Sequence, residues 1–252
     1  MSVKLSVVII TFNEEKNIEL CLKSLSNIAD EIIVVDSFST DNTEKICKQY
    51  NVKFFNKKWL GYSEQKNYAN SLATNNLIFS IDADEVVSSE LEKSIIKIKL
   101  SVKKGKAYKV NRLTNYCGKW IKHCGWYPDT KLRIWFKNEG KWEGELHEEI
   151  ILNSSTKILT LKGDLHHYSY HSIEQHISQF NKFTDIGAKE AFKRGKKSNL
   201  FIAIYKSVWK FNRDYIFKLG FLDGYYGFVI CALSSQATFA KYLKLREIIK
   251  NS

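Results

Sequence analysis

Leu77-Ile78-Phe79-Ser80-Ile81-Asp82-Ala83-Asp84-Glu85 begins as a short apolar run, the pattern of a buried strand, and ends on three carboxylates in four residues. Isolated carboxylates are costly to bury, so a strand that ends in acids needs something to receive them. Side chains alternate along an extended chain, which sends Asp82 and Asp84 to the same side. Two like charges on one face call for a cation. Mg²⁺ or Mn²⁺ is the ion that one or two carboxylates hold while a diphosphate supplies further ligands. Out of context the same acids would be a solvated polar loop. Their place at the carboxyl end of a strand, where ligands gather in open α/β sheets, favours the cation.

Related patterns precede this stretch. Residues 4–11 are a β-branched run, residues 31–35 a second and residues 52–55 a short third. Between them Ile18, Cys21, Leu22 and Leu25, then Ile46, Cys47 and Tyr50, recur at helical spacing. Asn13 is placed to cap the first helix, and Asp41 with Glu44 makes a capping-box pattern for the second. Gly61-Tyr62 opens a helix with Tyr62, Ala69 and Leu72 on one side, and Ser89 with Glu92 starts another carrying Leu91, Ile95 and Ile98. The alternation predicts an α/β fold, a doubly wound and mostly parallel sheet with helices on both faces. The acid-rich turns at residues 11–15, 36–41 and 82–85 then line one rim. No GxGxxG follows the first strand and no P-loop signature occurs, so a nucleotide must be held by the acidic rim and a metal.

After residue 100 the pattern changes. Residues 107–112 and 130–136 read as strands of an antiparallel extension. Between them lies an aromatic stretch with Trp120, His123, Trp126, Tyr127 and Asp129. Trp142-Glu143-Gly144-Glu145-Leu146-His147-Glu148-Glu149 again sets an aromatic ring beside acids. Ring faces pack on sugar C–H faces while carboxylates take hydroxyls or a proton. The alternative is a sheet extension whose acids are merely solvated. Residues 157–161 form a strand that leads into His166-His167, and alternation lets at most one of the pair enter a common site. Ile173, Ile177, Phe180, Thr184 and Ala191 mark one long helix, and residues 199–250 are mostly helical. A catalytic domain over residues 1–170 and a helical region over residues 171–252 follow from this reading.

The 252 residues carry a net charge of +12, with one proline and five cysteines. Residues 193–252 hold twelve Lys and Arg against Asp214, Asp223 and Glu247, a balance of +9. Basic residues edging aromatic helices suit an anionic membrane surface, with a helical cap packed on the core as the alternative. Nucleic acid is not expected as a partner, because the aromatics sit in apolar blocks. Cys117 and Cys124 lack a second pair for zinc, and the odd cysteine count suits reduced thiols in a cytoplasmic protein. The N-terminus shows no basic-then-apolar leader, and no run reaches about 18 apolar residues.

Val7-Val8-Ile9-Ile10-Thr11-Phe12-Asn13-Glu14-Glu15, Val35-Asp36-Ser37-Phe38-Ser39-Thr40-Asp41-Asn42-Thr43 and Asp82-Ala83-Asp84-Glu85, in this order and at these intervals, resemble glycosyltransferase family 2, which has the GT-A fold. Trp126-Tyr127-Pro128-Asp129 with Lys131-Leu132-Arg133, Trp142-x-Gly144-x-x-His147-Glu148, His167-x-Ser169-Tyr170 and Gly220-Phe221-Leu222-Asp223-Gly224-x-x-Gly227-Phe228 are similar to its lipopolysaccharide core heptose β-1,4-glucosyltransferase subgroup. The resemblance implies an inverting, metal-dependent transfer of glucose from UDP-glucose to a lipid-linked glycan of the bacterial envelope. It places the protein on the inner face of the cytoplasmic membrane. Thr11, Phe12 and Glu14 would border the nucleobase and ribose, Asp36 would accept from the uracil ring, and Lys66 and Asn67 would help hold the nucleotide. Asp82 would contact ribose or metal. Asp84 would bind the metal, with His167 as a further ligand or a structural histidine. Trp126, Asp129, Arg133 and Trp142 would face the acceptor. Glu148 is the expected base, with Glu145, Glu149 and Asp129 as competitors. A sugar nucleotidyltransferase is disfavoured by the lack of a Gly-rich, basic loop after the first strand. A catalytically inactive glycan- or membrane-binding relative is disfavoured by the joint presence of Asp36, Asp82, Asp84 and Glu148.

Overall fold

The computed structural model describes residues 2–144 and 148–252. The chain forms two compact units, Met1–Arg112 with Asp129–His167, and Leu113–Pro128 with Tyr168–Ser252. The second unit therefore takes in an aromatic segment that the sequence pattern assigned to the catalytic domain. Tyr116 explains why: its buried ring meets Trp126, Tyr170 and Tyr226 at centroid distances of 5.9, 5.5 and 5.7 Å.

The first unit opens with β1 (Leu5–Thr11), α1 (Ile18–Ser24), β2 (Glu31–Asp36), α2 (Thr43–Cys47), β3 (Lys53–Asn56), α3 (Tyr62–Leu72), β4 (Leu77–Asp82), β5 (Glu85–Val87) and α4 (Ser89–Ser101). It continues with β6 (Lys106–Tyr116), whose residues from Leu113 onward belong to the second unit, as does β7 (Lys119–Ile121), which pairs with that end of the strand. Then come β8 (Asp129–Phe136), β9 (Gly140–Glu143), β10 (Glu149–Leu152) and β11 (Lys157–Tyr170). The main sheet runs β3-β2-β1-β4-β8-β6-β11-β5. Its first four strands are parallel, β8 joins antiparallel to β4, and β5 closes antiparallel on β11. The expected doubly wound sheet with an antiparallel extension is thus present.

β1 is apolar apart from Ser6 and Thr11, because both its faces are covered. Leu5, Val7 and Ile9 pack with Ile18, Cys21 and Leu22 of α1 and Leu91 and Ile95 of α4. Val8, on the other face, packs with Ile33, Ile78, Ala69 of α3, Trp135 and Trp142. Local capping differs from the sequence reading at two helices. Asn13 sits at φ 55° and accepts from the Thr40 N–H at 2.8 Å, so it pins a loop and does not cap α1. Asp41 accepts from the Thr43 N–H and hydroxyl, and Asn42 holds the cap position of α2.

The second unit is built on α5 (Ile173–Lys193), α6 (Leu200–Asn212) and α7 (Gly224–Asn251). No single helix among the described residues is long and apolar enough to cross a membrane.

Candidate functional site

The loops after β1 and β2 are laced together by side-chain-to-backbone bonds. The Asn13 N–H donates to Ser39 Oγ at 2.8 Å, the Glu14 N–H to Thr43 Oγ1 at 2.8 Å and the Glu15 N–H to Asp41 Oδ2 at 3.0 Å. Asp36 is buried at the end of β2 and accepts from the Ser39 N–H at 2.6 Å and the Ser39 hydroxyl at 2.5 Å. A carboxylate has about four acceptor sites, so this clasp orients Asp36 and leaves capacity for a base N–H. Gln65 of α3, fully buried, donates to Ser37 Oγ at 3.0 Å and to the Lys57 carbonyl at 3.2 Å, which ties α3 to the same rim. Phe12 stands out from it, 55% exposed. Burial pushes the Glu14 carboxyl up to about 7, and the negative charges of Asp84 and Asp41 act in the same direction.

Asp82 at the end of β4 lies between two cations. Lys66 Nζ is 3.2 Å from one oxygen and Arg133 Nη2 is 2.8 Å from the other. Burial alone would raise its carboxyl, but these two charges hold it well below the usual carboxylate range. The same Arg133 nitrogen is 2.5 Å from Glu85, which is fully buried, and Arg112 Nη1 stands 3.6 Å away from that acid. Glu85 also accepts from the Asp82 N–H at 3.1 Å. Glu85 is thus the anchor beneath the acidic turn. Lys66 reaches Glu148 at 3.1 Å and lies over the Trp142 ring, 4.5 Å from its centre. One buried ammonium therefore holds Asp82 and Glu148 together.

Asp84 and His167 meet on the other side of the turn, with Oδ2 and Nε2 3.1 Å apart. The antiparallel pairing of β5 with β11 sets His167 opposite Glu85, one residue past Asp84. Two donors bound cis to an octahedral ion at about 2.1 Å lie about 3.0 Å apart, so an oxygen and an imidazole nitrogen at this separation suit Mg²⁺ or Mn²⁺. No group of three His, Cys, Asp or Glu gathers as a metal cluster among the described residues. The remaining ligands of such an ion would come from a diphosphate and water.

A cavity of about 600 Å³ opens beside these groups, lined by Lys66, Asp82, Arg133, Trp142 and Glu148 and, further out, by Lys109, Arg112, Lys131 and Glu149. Thr11 Oγ1, Arg133 Nε and Trp142 Nε1 are buried without a hydrogen-bond partner among the described residues. Asp129 is held by Arg112 at 2.6 Å and Lys131 at 3.0 Å; burial works against ionisation, yet these cations keep its carboxyl below the usual range. Asn67 donates to the Trp142 carbonyl at 2.8 Å and accepts from the Trp142 N–H at 3.0 Å, so its amide fastens α3 to β9. Trp142 is buried edge-on against Trp135. Trp126 belongs to the second unit, against Tyr116 and Tyr170. Glu145 and His147 lie outside the described residues. The sequence reading gave no role to Glu85, Arg112 or Lys109. The alternation of Asp129, Lys131 and Arg133 along β8 is the signal that points charged side chains to one face.

A family model described as "Glycosyl transferase family 2" matches residues 6–118. An uncharacterized glycosyltransferase of Rickettsia typhi is 35% identical over 97% of this chain and 87% of its own length. The lipopolysaccharide core biosynthesis glycosyltransferase LpsC of Rhizobium meliloti is 26% identical over 96% of this chain and 94% of its own length. Among solved structures, S. aureus TarS aligns over 72% of this chain and 39% of its own at 18% identity, with a TM-score of 0.45. Mycobacterium tuberculosis glucosyl-3-phosphoglycerate synthase, solved with Mn²⁺, UDP and glucosyl-3-phosphoglycerate, aligns over 45% of this chain and 44% of its own at 23% identity, with a TM-score of 0.38.

Proposed function

The chain belongs to glycosyltransferase family 2, with a GT-A fold, and on that premise we propose that it is an inverting transferase moving glucose from UDP-glucose to a lipid-linked, phosphate-bearing glycan of the bacterial envelope. The observation that carries the reading is the arrangement on either side of Asp82-Ala83-Asp84. Asp84 faces His167 at 3.1 Å, while Lys66 joins Asp82 to Glu148 at 3.2 and 3.1 Å.

Asp36, Thr11 and Phe12 hold the uridine, and Asp82 meets the ribose. Asp84 and His167 would hold a divalent ion, which would supply positive charge to offset that on the departing diphosphate. Glu148 accepts the proton of the acceptor hydroxyl as that oxygen bonds to the anomeric carbon. The bond from that carbon to the diphosphate oxygen breaks on the opposite face, and the diphosphate leaves with the electron pair. Lys66 positions the Glu148 carboxylate for this step. Lys109 and Lys131 on the cavity wall suit an acceptor bearing phosphate. The basic, aromatic C-terminal unit supports work at an anionic membrane surface on the cytoplasmic side.

The test is transfer from labelled UDP-sugars to membrane extracts rich in lipopolysaccharide core, with Mn²⁺ present. Label in the lipid fraction, inverted at its anomeric carbon and lost in Glu148→Gln, is expected. Label from no nucleotide sugar would overturn the reading.

A further inference from the structure

The motif Gly220-Phe221-Leu222-Asp223-Gly224-x-x-Gly227-Phe228 carries no role in the transfer proposed above. It lies at the bend of a helical hairpin in the second unit. On α6, Phe201, Ile204, Tyr205, Val208 and Trp209 follow the i, i+3, i+4, i+7, i+8 spacing of one helix face, and they are 48–77% exposed. A helix of an ordinary globular unit turns that stripe to its core. Here the core side of α6 is the opposite one, where Ala203 is buried and Ser207 bonds Ser235 of α7.

Past α6 the chain makes one π-helical turn at Arg213–Phe217, passes left-handed Leu219 and makes a 3₁₀ turn at Gly220–Asp223. The two arms meet at 70°. This bend is stitched. Asp214, 3% exposed, pairs with Lys210 at 2.7 Å and Arg213 at 2.8 Å. Asp223, 5% exposed, accepts from the N–H groups of Lys122 and His123 and pairs with His123 Nδ1 at 3.0 Å. The glycines are where backbones touch: a Cβ on Gly220 would lie 2.7 Å from the Asp214 carbonyl oxygen, and one on Gly227 2.0 Å from that of Gly220. What this rigid bend holds outward is apolar. Ile216, Phe217, Leu219, Phe221, Leu222 and Tyr225 are 45–68% exposed.

We propose that this hairpin is a wedge that enters one leaflet of an anionic bilayer, apex first, to roughly the 5–10 Å depth of an interfacial helix. Lys206 and Lys218, exposed beside the apolar stripe and apex, stay at the phosphate level and let their stems cover the boundary. Charge selects a lipid surface over a second copy of the chain. Between residues 200 and 228 the only acids are Asp214 and Asp223, both buried, so two copies face to face would oppose lysine with lysine. Neither arm alone is long and apolar enough to cross; the two together pass that test by length and composition, bent by 70° as a re-entrant hairpin would be. The proposal deepens the membrane-surface part of the function above and rests on that part, while the donor chemistry stands apart from it.

The experiment is sedimentation of the full chain with neutral vesicles and with vesicles containing phosphatidylglycerol, together with tryptophan quenching by lipids brominated high in the acyl chain. Binding to the anionic vesicles is expected. It should weaken by roughly tenfold or more in Phe217→Asp/Phe221→Asp. Both positions are exposed, so melting temperature and UDP binding should stay at the wild-type values. The quenched signal should contain a component absent in Trp209→Phe. Binding without that component would mean adsorption by charge alone and overturn the wedge, leaving the membrane-surface reading in place. Binding to no vesicle would overturn both. A wild-type dimer lost in the double variant would assign the patch to a second copy and overturn the wedge. UDP binding, measured on the same samples, separates each of these from failure of the transferase reading.

Discussion

Replacing Arg133 with methionine keeps most of the side-chain volume and removes the charge that neutralises Glu85. Arg133 is 3% exposed and Glu85 is 0% exposed, so water cannot take over the guanidinium's role. One nitrogen serves both acids, at 2.5 Å to Glu85 and 2.8 Å to Asp82. Arg112, 3.6 Å from Glu85 and already bonded to Asp129, is too distant and too committed to substitute. Breaking a buried pair by removing one partner typically costs about 3–5 kcal/mol, because the surviving charge is left uncompensated. For a unit of this size each kcal/mol moves the midpoint by about 2–4 °C, so Arg133→Met should melt on the order of 6–20 °C below wild type. Scanning calorimetry or thermal circular dichroism at pH 7 measures this. Adding Glu85→Gln should recover most of the loss, since the uncompensated charge and not the missing contact is the cause. A midpoint within about 2 °C of wild type for Arg133→Met, or a double variant no more stable than the single, would refute the argument.

Glu148→Gln should lower kcat by roughly 10²–10⁴ while UDP affinity stays unchanged, because the role proposed for this group is to take a proton and not to hold the nucleotide; steady-state kinetics beside calorimetry reads both. Lys109→Glu should raise KM for a phosphate-bearing acceptor and leave KM for the donor alone. Equal KM values in variant and wild type would remove the phosphate from the acceptor assignment. Glu31 tests the pH behaviour of the fold. Burial opposes its ionisation, but Lys53, Ser6 and Thr74 bring its carboxyl down to about 2 from 4.5. A lowered folded value means stability that is complete above about 4.5 and lost as pH falls toward about 2. Glu31→Gln should therefore lower the midpoint clearly at pH 7 and hardly at all near pH 2, as thermal melts across that range would show.

The parallel core was legible because burial on two faces writes itself as near-continuous apolar runs. Leu5, Val7 and Ile9 serve one side of β1, and Val8 serves the other. The acidic rim was legible because strand ends and turn residues are adjacent in sequence. Partner choice across long separations was not. Arg133 and Glu85 are 48 residues apart, and nothing near either one announces the other. Conformation at single positions was equally hidden. Asn13 has the chemistry of a cap, but at φ 55° its side chain turns to the Thr40 N–H. The aromatics divided in a way that sequence could not show. Trp126 joins the Tyr116 cluster of the second unit, whereas Trp142 is covered by Lys66 of the first. A tryptophan beside acids reads the same whether its ring meets a sugar, a core or an ammonium.

The central claim is that Asp84 and His167 hold a divalent ion under a nucleoside diphosphate. Titration calorimetry with UDP, GDP, ADP and CMP, with and without Mn²⁺, tests it directly on wild type and Asp84→Ala. UDP alone should bind with high affinity, only with Mn²⁺ present, and Asp84→Ala should lose that binding while remaining folded. Equal UDP affinity with and without Mn²⁺, or an Asp84→Ala variant that binds as wild type does, would contradict the account.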